Sequence, residues 1–471
     1  MNSSIIWILF PGLIAVICLL LQHRETTVAI LGAFVALCLA GLAYWLPSGE
    51  QLVIGPWIIP FGDTWEVLGR RFVLAVSDRP TIIVLYLATG LWLGAVPLAR
   101  PGRLFVPLSL GMVALLTAAI AVEPFLYAAL LIEIAVLLSI PFLIATGTKA
   151  RRGAIRYLTF QTLGVPFILL AGWMLTGVEV TPGDRDLLLR ASAFLGLGFA
   201  FLLAIFPFHT WIPMLGGESH PYAAAFVFLL LPGAVTLFGL SFLERFTWLG
   251  DAASTYTLFE VVGIGMIFAA GIWAAFQRDL GRLMGFALLM DIGFSMLALS
   301  QAQGQQIDRF LGLFFASLVP RGLSMGLWAL ALSDLRRKAG GLDFGQVLGL
   351  GRENPLLMAS ILLANFSIAG LPALASYPPR LAILQHLSAA PGEQGVYWAL
   401  VGSLGLMIGG LRTLGVLSHG LEDVKWKLTE SPILVVYLVA GLASLLALGL
   451  APQLFLPGFT DMPLIFRQPL P

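Results

Sequence analysis

Long apolar runs recur along almost the whole chain and limit the folds that it can adopt. A helix that crosses a lipid bilayer needs about 20 mostly apolar residues, and on that rule the chain contains about 14 such helices. They are predicted at 3–22, 26–46, 80–98, 103–121, 123–146, 153–177, 188–215, 221–243, 256–276, 279–300, 307–333, 355–388, 395–418 and 431–451. The sequence therefore predicts an all-α polytopic membrane protein, because helices satisfy their own backbone hydrogen bonds in lipid.

The composition excludes other classes of protein. With 59% hydrophobic and 11% charged residues, the chain is too apolar for a soluble globular protein or a disordered one. Its net charge of +1 gives no sign of nucleic-acid binding. Cys18 and Cys38 lie inside apolar runs, no CxxC motif occurs, and the five histidines lack metal-ligand spacing. We therefore expect this chain to bind no redox cofactor and no metal.

Proline interrupts two of the predicted membrane helices. Pro207 and Pro213 fall within helix 7 of the predicted series, and Pro372, Pro378 and Pro379 fall within helix 12. Proline removes a backbone donor and clashes with the preceding turn, so it breaks or kinks a helix. Broken backbone at membrane depth is tolerated only where it is buried in protein or lines a wet cavity. Two such breaks in corresponding places are typical of a transporter-like fold built from two repeats.

The loops predict the topology. The one long connection, 47–79, is expected to form an ordered extramembrane loop with a hairpin. Loops after odd-numbered helices hold about twice as many Lys and Arg residues as the others, which predicts that they are cytoplasmic. Both termini then lie on the non-cytoplasmic side. The first apolar run, 5–21, has no basic segment before it, so we interpret it as a retained helix rather than a cleaved signal peptide.

Four ionisable residues lie deep within apolar runs: Glu133, Asp291, Arg321 and Arg380. Such a residue costs roughly 2.5–3.5 kcal/mol at a helix centre on the insertion scale, and it persists only if it is paired or hydrated. These four are candidates for an ion path. The alternative is a structural ion pair that fixes helix packing. Arg412 lies nearer a helix end, where its side chain can reach the membrane interface.

Several segments resemble one family of membrane proteins. FPFHTWIP at 206–213, followed by SHPYAAAF at 219–226, resembles the PFHTWLP…APTPVSA signature of the proton-antiporter-like membrane subunits. That family includes the L, M and N type subunits of respiratory complex I, energy-converting hydrogenase subunits and Mrp-type antiporters. The segments 122–144, 278–299 and 369–380 resemble DLFLFYVFWELMSLPSYLLI, TDLKRLLAYSSISQMGFVLLGL and AGLPPFAGFVGK of that family.

The resemblance implies two inverted five-helix repeats, helices 4–8 and helices 9–13, each with one broken helix. The first repeat is expected at 103–245 and the second at 256–420. Helices 1–3, with the extramembrane loop, then occupy 1–102, and helix 14 with a tail occupies 421–471. The resemblance also implies other membrane subunits and lipids as partners, in a bacterial inner membrane.

The first half of the chain departs from the family at two positions. Glu133 aligns with the glutamate of the family's fifth helix. Leu202 stands where the family carries a lysine, five residues before the signature proline, and Pro232 stands where M-type subunits have a lysine. Neither replacement carries an exchangeable side-chain proton.

The second half keeps positive charge but changes its chemistry. Arg321 and Arg380 align with the family's lysines of helices 11 and 12. Ser317 replaces the histidine of helix 11, and Asp291 stands where the family has glutamine or histidine in helix 10. Burial lets lysine lose and regain a proton, whereas guanidinium stays charged. We therefore do not expect a full proton path of the family's type.

The buried charges are expected to pair. We predict that Arg321 or Arg380 binds Asp291, Glu133 or a carboxylate of a neighbouring subunit, because an unpartnered buried carboxylate would protonate. Truncating Arg380 to alanine should then destabilise the protein. His209 of the signature could relay protons, since its unperturbed pKa is about 6.5; the interpretation we favour is that it ties down backbone groups freed by the break.

Three functions remain open on the sequence alone. The first is a non-catalytic membrane-arm subunit of a complex-I-like, NADH/quinone or related redox enzyme, with a coupling or scaffold role. The second is a subunit of an Mrp-type cation/proton antiporter or of an inorganic-carbon uptake complex. The third is a stand-alone secondary transporter, and the loss of titrating amines argues against it.

Overall fold

The computed structural model describes residues 3–45, 51–54, 57–60, 64–67, 69–74, 78–144, 152–180, 185–303, 307–389, 394–420 and 428–454. The fold is an all-α polytopic bundle, which confirms the predicted class. Among these residues, nine helices are long and apolar enough to cross a membrane, and four shorter apolar helices accompany them. The total of about 14 crossings and the inverted repeats stay predictions.

Twenty α-helices, three short 3₁₀ helices and five short strands occur among the described residues. The helices of the first half are α1 Ser3–Leu20, α2 Glu25–Trp45, α3 Arg79–Gly94, α4 Val96–Ala99, α5 Phe105–Ala121, α6 Ala128–Leu143, α7 Arg152–Val180, α8 Arg185–Leu202, α9 Trp211–Glu218 and α10 Pro221–Arg245. Those that follow are α11 Thr247–Gly250, α12 Ala253–Phe276, α13 Leu280–Ser300, α14 Ile307–Ala339, α15 Phe344–Val347, α16 Leu350–Glu353, α17 Pro355–Ala369, α18 Tyr377–Ala389, α19 Gln394–Leu417 and α20 Pro432–Leu450. The strands are β1 Gln51–Ile54, β2 Trp57–Pro60, β3 Thr64–Val67, β4 Arg70–Val73 and β5 Val122–Glu123.

The chain divides into two compact units. The first comprises Met1–Phe208 and Leu230–Arg245, and the second comprises His209–Leu229 and Phe246–Pro471. The domain boundaries expected from the family resemblance stay a prediction.

The long connection between α2 and α3 forms β-structure in its described parts. β1 and β2 pair as one antiparallel hairpin, and β3 pairs with β4 as another. β5, which follows α5, adds to β4 with Arg71 opposite Glu123. These two side chains also form an exposed ion pair of 3.5 Å. Positions 46–50, 55–56, 61–63, 68 and 75–77 of this region lie outside the described residues.

Predicted helix 7 is broken, but the break begins before its proline. α8 ends at Leu202, Ala204 takes a left-handed backbone conformation (φ 55°), and α9 starts at Trp211. The Ala204 amide donates to the Phe201 carbonyl at 3.4 Å, and the next amide donates to the carbonyl of Ala200 at 2.9 Å. This pair of bonds is a Schellman motif, which satisfies the last carbonyls of the helix. Pro213, predicted to help break the helix, lies inside α9 instead.

Predicted helix 12 ends by the same motif. α17 stops at Gly370 (φ 87°), whose amide donates to Ser367, while the Leu371 amide donates to Phe366, each at 2.9 Å. Pro372 lies within the break, as expected. The expectation that Pro378 and Pro379 interrupt the helix is wrong, because they occupy the first turn of α18. Proline is tolerated there, since the first amides of a helix have no intrahelical partner.

Proline inside an apolar helix does not by itself break it. Pro232 lies within the continuous α10, and Pro320 lies within the continuous α14. Each proline removes the amide that would bond to the carbonyl four residues earlier, which is Phe228 for Pro232 and Ala316 for Pro320. Membrane helices tolerate such prolines because hydroxyl side chains and neighbouring helices satisfy the freed backbone groups.

α13 is the core helix of the second unit, and it is buried along its entire length. Glycines let other helices approach its backbone. A Cβ on Gly285 would lie 2.7 Å from Cα of Pro213 in α9, and one on Gly293 would lie 2.9 Å from the Gly263 carbonyl oxygen in α12. Close contact through small residues is the usual way in which membrane helices associate. It holds the one acidic residue of α13 deep inside the protein.

Candidate functional site

Three helices of the second unit bring three charged side chains together. Asp291 lies in the middle of α13, Arg321 in α14, and Arg380 in the first turn of α18. Arg321 Nε donates to Oδ2 of Asp291, and Arg380 Nη2 donates to Oδ1 at 2.8 Å. One carboxylate therefore binds two guanidinium groups, one on each oxygen. We call these three residues the Asp291 triad.

Other side chains of α13 support the triad. Arg321 Nη2 donates to the hydroxyl of Ser295 and lies 3.4 Å from the backbone oxygen of Asp291. The guanidinium carbon of Arg380 lies 4.1 Å from the centroid of the Phe294 ring, a cation–π contact. Positions i, i+3 and i+4 of a helix share one face. α13 therefore presents a carboxylate, a ring and a hydroxyl to the two arginines.

The triad is buried. Arg321 is 2% exposed, and Asp291 and Arg380 are each 4% exposed. Charges removed from water are tolerated only where geometry is good and further hydrogen bonds satisfy them. Two positive groups and one negative group leave the triad with a net charge of +1.

The chemistry of the triad differs from that of a lysine row. A guanidinium keeps its proton in proteins and donates hydrogen bonds only. A carboxylate held by two cations is favoured in its charged form. The arrangement can hold helices together and set a fixed field, but its arginines cannot pass protons by losing and regaining them.

A row of serine hydroxyls links α14, α17 and the break that follows α17. The Ser324 hydroxyl donates to that of Ser367 at 3.0 Å, and the Ser367 hydroxyl lies 3.3 Å from that of Ser376. All three side chains are buried. Ser324 lies one turn after Arg321, and Ser376 lies one turn before Arg380. We call these hydroxyls the serine row.

Glu133 belongs to the first unit and has a neutral hydrogen-bond partner. The Thr162 hydroxyl of α7 donates to Glu133 Oε1 at 2.6 Å. Nearby, the Ser139 and Tyr157 hydroxyls lie 2.9 Å apart. Within the described residues, none of the ion pairs includes Glu133. The predicted pairing of an arginine with Asp291 is thus present, whereas no arginine pairs with Glu133 in this part of the chain.

Three of the positions at which the chain departs from the expected family pattern lie at a helix end or inside a helix. Leu202 is the last residue of α8, and its carbonyl accepts a hydrogen bond from Gln161 Nε2 at 3.1 Å. Pro232 lies inside α10. The Ser317 hydroxyl donates to the Phe314 carbonyl of its own helix at 2.6 Å. Leu202 thus lies at a helix end, and Pro232 and Ser317 lie in helix interiors.

Two further candidates lie apart from the triad's hydrogen bonds. His209 occupies a short 3₁₀ turn in the break before α9, and its ring centroid lies 6.5 Å from that of Phe286. Arg412 donates to the carbonyl oxygen of Ala275, at the end of α12. Arg412 therefore satisfies a carbonyl group at the end of a helix.

Sequence reasoning missed the neutral members of the site. Four residues that the sequence analysis does not name contact a predicted position or its neighbour. They are Ser295, Phe294, Ser376 and Gln161. Serine in a helix often bonds to a carbonyl of its own preceding turn, as Ser295 also does at 3.1 Å. Its sequence position alone therefore gives no signal of a second contact across helices.

Comparison with known proteins identifies the family. The family described as "NADH:quinone oxidoreductase/Mrp antiporter, TM" matches residues 129–407, more than half of the chain. The chain belongs to this family. NADH-quinone oxidoreductase subunit N 2 of Solidesulfovibrio magneticus is 26% identical over 269 residues, which cover 54% of each protein. In its alignments with these first curated relatives, the chain spans about half of their length.

Solved structures show the same fold over nearly the full chain. A chain of respiratory complex I from Thermus thermophilus matches with a TM-score of 0.72 and 20% identity, covering 98% of this chain and 99% of that one. A chain of an archaeal membrane-bound sulfane sulfur reductase matches at 0.79 with 15% identity, covering 99% and 98%. A chain of the Mrp complex from Dietzia sp. DQ12-45-1b matches at 0.76 with 17% identity, covering 98% and 96%. Family and fold agree that this is a multi-pass membrane protein.

Proposed function

We propose that this family member is an antiporter-like membrane-arm subunit of a complex-I-like, energy-converting redox complex. There it contributes to energy coupling or serves as a scaffold of the membrane arm, without a complete proton path of its own. The observation that supports this proposal is the Asp291 triad, in which Arg321 and Arg380 bind one buried carboxylate. Fixed guanidinium groups occupy the places where titrating amines would be needed.

The first unit supports the same conclusion. Glu133 has a hydroxyl partner from Thr162, and Leu202 and Pro232 offer no side-chain proton. A relay needs groups that can both accept and release a proton near the working pH. We infer that this chain keeps the fold of its family but has lost several of the side chains that would exchange protons.

The proposal also covers location, partners and cofactors. The chain lies in a bacterial inner membrane with both termini on the non-cytoplasmic side, and other membrane subunits and lipids surround it. It binds no redox cofactor itself, so electron transfer belongs to other subunits. Chains of multi-subunit complexes share its fold, which supports a place in an assembly.

Composition of the native complex tests the assignment. The tagged full chain is purified from its own membranes in mild detergent, and its partners are identified by mass spectrometry and absorption spectroscopy. Flavin, iron–sulfur or quinone-reducing partners are expected. Co-purification with small membrane subunits alone would favour the Mrp-type or inorganic-carbon alternative, whose structural support is the fold shared with the Mrp chain. Purification without any partner would favour a lone transporter.

A further inference from the structure

The net charge of the Asp291 triad calls for one more negative group. Two guanidinium groups share one carboxylate, and all three side chains are at least nine-tenths buried. An uncompensated charge in a low-dielectric interior is expensive, so a counter-charge close by is favoured. A small anion would supply it if donors were free to bind one.

Arg380 has such a donor. Its Nη2 is bound to Asp291, and its guanidinium face covers Phe294. Nη1, in contrast, is buried and has no hydrogen-bond partner among the described residues. A buried charged donor without a partner loses the full free energy of its hydration. The position therefore needs an acceptor.

The serine row delivers a second donor to the same turn. Ser324 donates to Ser367, and Ser367 is within hydrogen-bond distance of Ser376. Either hydroxyl can donate in the Ser367–Ser376 bond, and when Ser367 donates, the Ser376 hydroxyl keeps its proton for another acceptor. Ser376 lies four residues before Arg380, whose amide lies 3.4 Å from the Ser376 carbonyl oxygen. Ser376 directly precedes α18, so it and Arg380 lie at the same end of that helix.

Gly370 in the break leaves a methyl-sized space beside the Arg380 side chain. Gly370 has a left-handed conformation and no side chain, and a Cβ placed on it would lie 3.5 Å from Arg380 Cδ and 3.9 Å from Nη1. The break thus places bare backbone beside the free donor. Pro378 and Pro379, at the start of α18, have no amide hydrogen, so these two residues supply no backbone donor to the site.

We propose that a small monovalent anion, a halide such as chloride, binds at the break between α17 and α18. Arg380 Nη1 and the Ser376 hydroxyl hold it, and it neutralises the excess positive charge of the Asp291 triad. The site offers two donors and a positive charge, which matches an anion and excludes a metal cation. This inference concerns the charge of this chain alone and does not depend on which proteins co-purify with it.

Halide-dependent melting of the purified full chain tests the site. Thermal unfolding is followed in sodium chloride, sodium bromide and sodium gluconate at equal ionic strength, so that screening is constant. The melting temperature should rise saturably with either halide over gluconate. In Ser376→Ala the apparent halide dissociation constant should increase about tenfold, the loss of one hydrogen bond to a charged group.

A matched variant and a direct measurement complete the test. Ser333 is also buried in the second unit, but its hydroxyl bonds to the Ala329 carbonyl of its own helix at 2.6 Å. Ser333→Ala should leave the halide dissociation constant unchanged.

Bromide should give an anomalous density peak within hydrogen-bond distance of Arg380 Nη1 in the wild type. This measurement tests the site even if a variant fails to fold. Equal melting in chloride and gluconate, or equal halide constants in wild type and Ser376→Ala, would overturn the proposal. So would a water or a partner carboxylate in place of bromide.

Discussion

Arg380 Nη2 lies 2.8 Å from Oδ1 of Asp291, although the two residues are 89 positions apart in the chain. The contact joins the helix that follows the second break to the fully buried α13. The other carboxylate oxygen binds Arg321. The position of α18, and with it the geometry of the break, is therefore tied to one ion cluster in the core.

Removing the shared carboxylate should destabilise the protein strongly. Asp291→Asn leaves two buried guanidinium groups without a negative partner, and we expect a loss of about 3–5 kcal/mol in the free energy of unfolding. Unfolding of the purified chain, monitored by fluorescence or by size-exclusion after heating, measures it. Arg103→Ala is the control, because its exposed pair with Glu25 should contribute less than about 1 kcal/mol. Similar losses in both variants would contradict the importance of the triad.

Replacing Ala204 by glycine and Gly370 by alanine should change the stability of the protein in opposite directions. Ala204 and Gly370 occupy the same left-handed position of the two Schellman motifs. A left-handed conformation costs a residue with a Cβ about 1–2 kcal/mol. Ala204→Gly should therefore stabilise the protein by about 1 kcal/mol, and Gly370→Ala should destabilise it by at least as much. Melting curves of the two variants provide the measurement, and shifts of the same sign would refute the shared motif.

Close contact between α12 and α19 should depend on particular glycines. A Cβ on Gly402 would overlap the carbonyl oxygen of Ile267, whereas nothing lies within 4 Å of a Cβ on Gly415 in the same helix. Gly402→Ala should destabilise the protein by about 1–3 kcal/mol through overpacking. Gly415→Ala should be neutral or stabilising by up to about 1 kcal/mol, as alanine favours helix. Thermal unfolding of the two variants separates the effect of helix packing from that of helix propensity. Equal effects of Gly402→Ala and Gly415→Ala would contradict the close contact between α12 and α19.

Acid should weaken the fold through His220, which precedes α10 outside the membrane-spanning helices. Burial and the nearby Arg336 guanidinium lower the pKa of His220 from 6.5 to about 4. Between about pH 6.5 and about pH 4 the unfolded chain binds a proton that the folded chain does not, so stability falls as pH falls. His220 lowers the free energy of unfolding by nothing above about pH 6.5 and by at most about 3 kcal/mol below about pH 4. Melting temperatures across this range should fall less steeply for His220→Gln; equal slopes would refute the assignment.

The fold class and the charged residues of the site could be predicted because both leave strong signals. Apolar runs report membrane helices directly, and an aspartate or arginine within such a run must have a partner. Asp291, Arg321 and Arg380 were all identified in this way. The choice between Asp291 and Glu133 as their partner was open, since it depends on which helices are neighbours.

The helix ends and the neutral contacts could not be read in the same way. Proline marks both breaks only approximately: α8 ends five residues before Pro207, and Pro378 begins a helix. Ala204 adopts a backbone conformation that its residue type disfavours, so its position gave no signal. Ser376 looks like any small residue in an apolar segment until the fold brings it beside Ser367.

Infrared spectroscopy of the Asp291 carboxyl group tests most directly whether the triad is a set of fixed charges. The difference between spectra of the wild type and Asp291→Asn isolates its bands while the pH is varied from about 5 to about 9. We predict an ionised carboxylate band that is constant over this range, with no protonated carboxylic acid band. A protonated band that grows or disappears with pH in the wild type, and is absent in Asp291→Asn, would show that the site exchanges protons and would contradict the account.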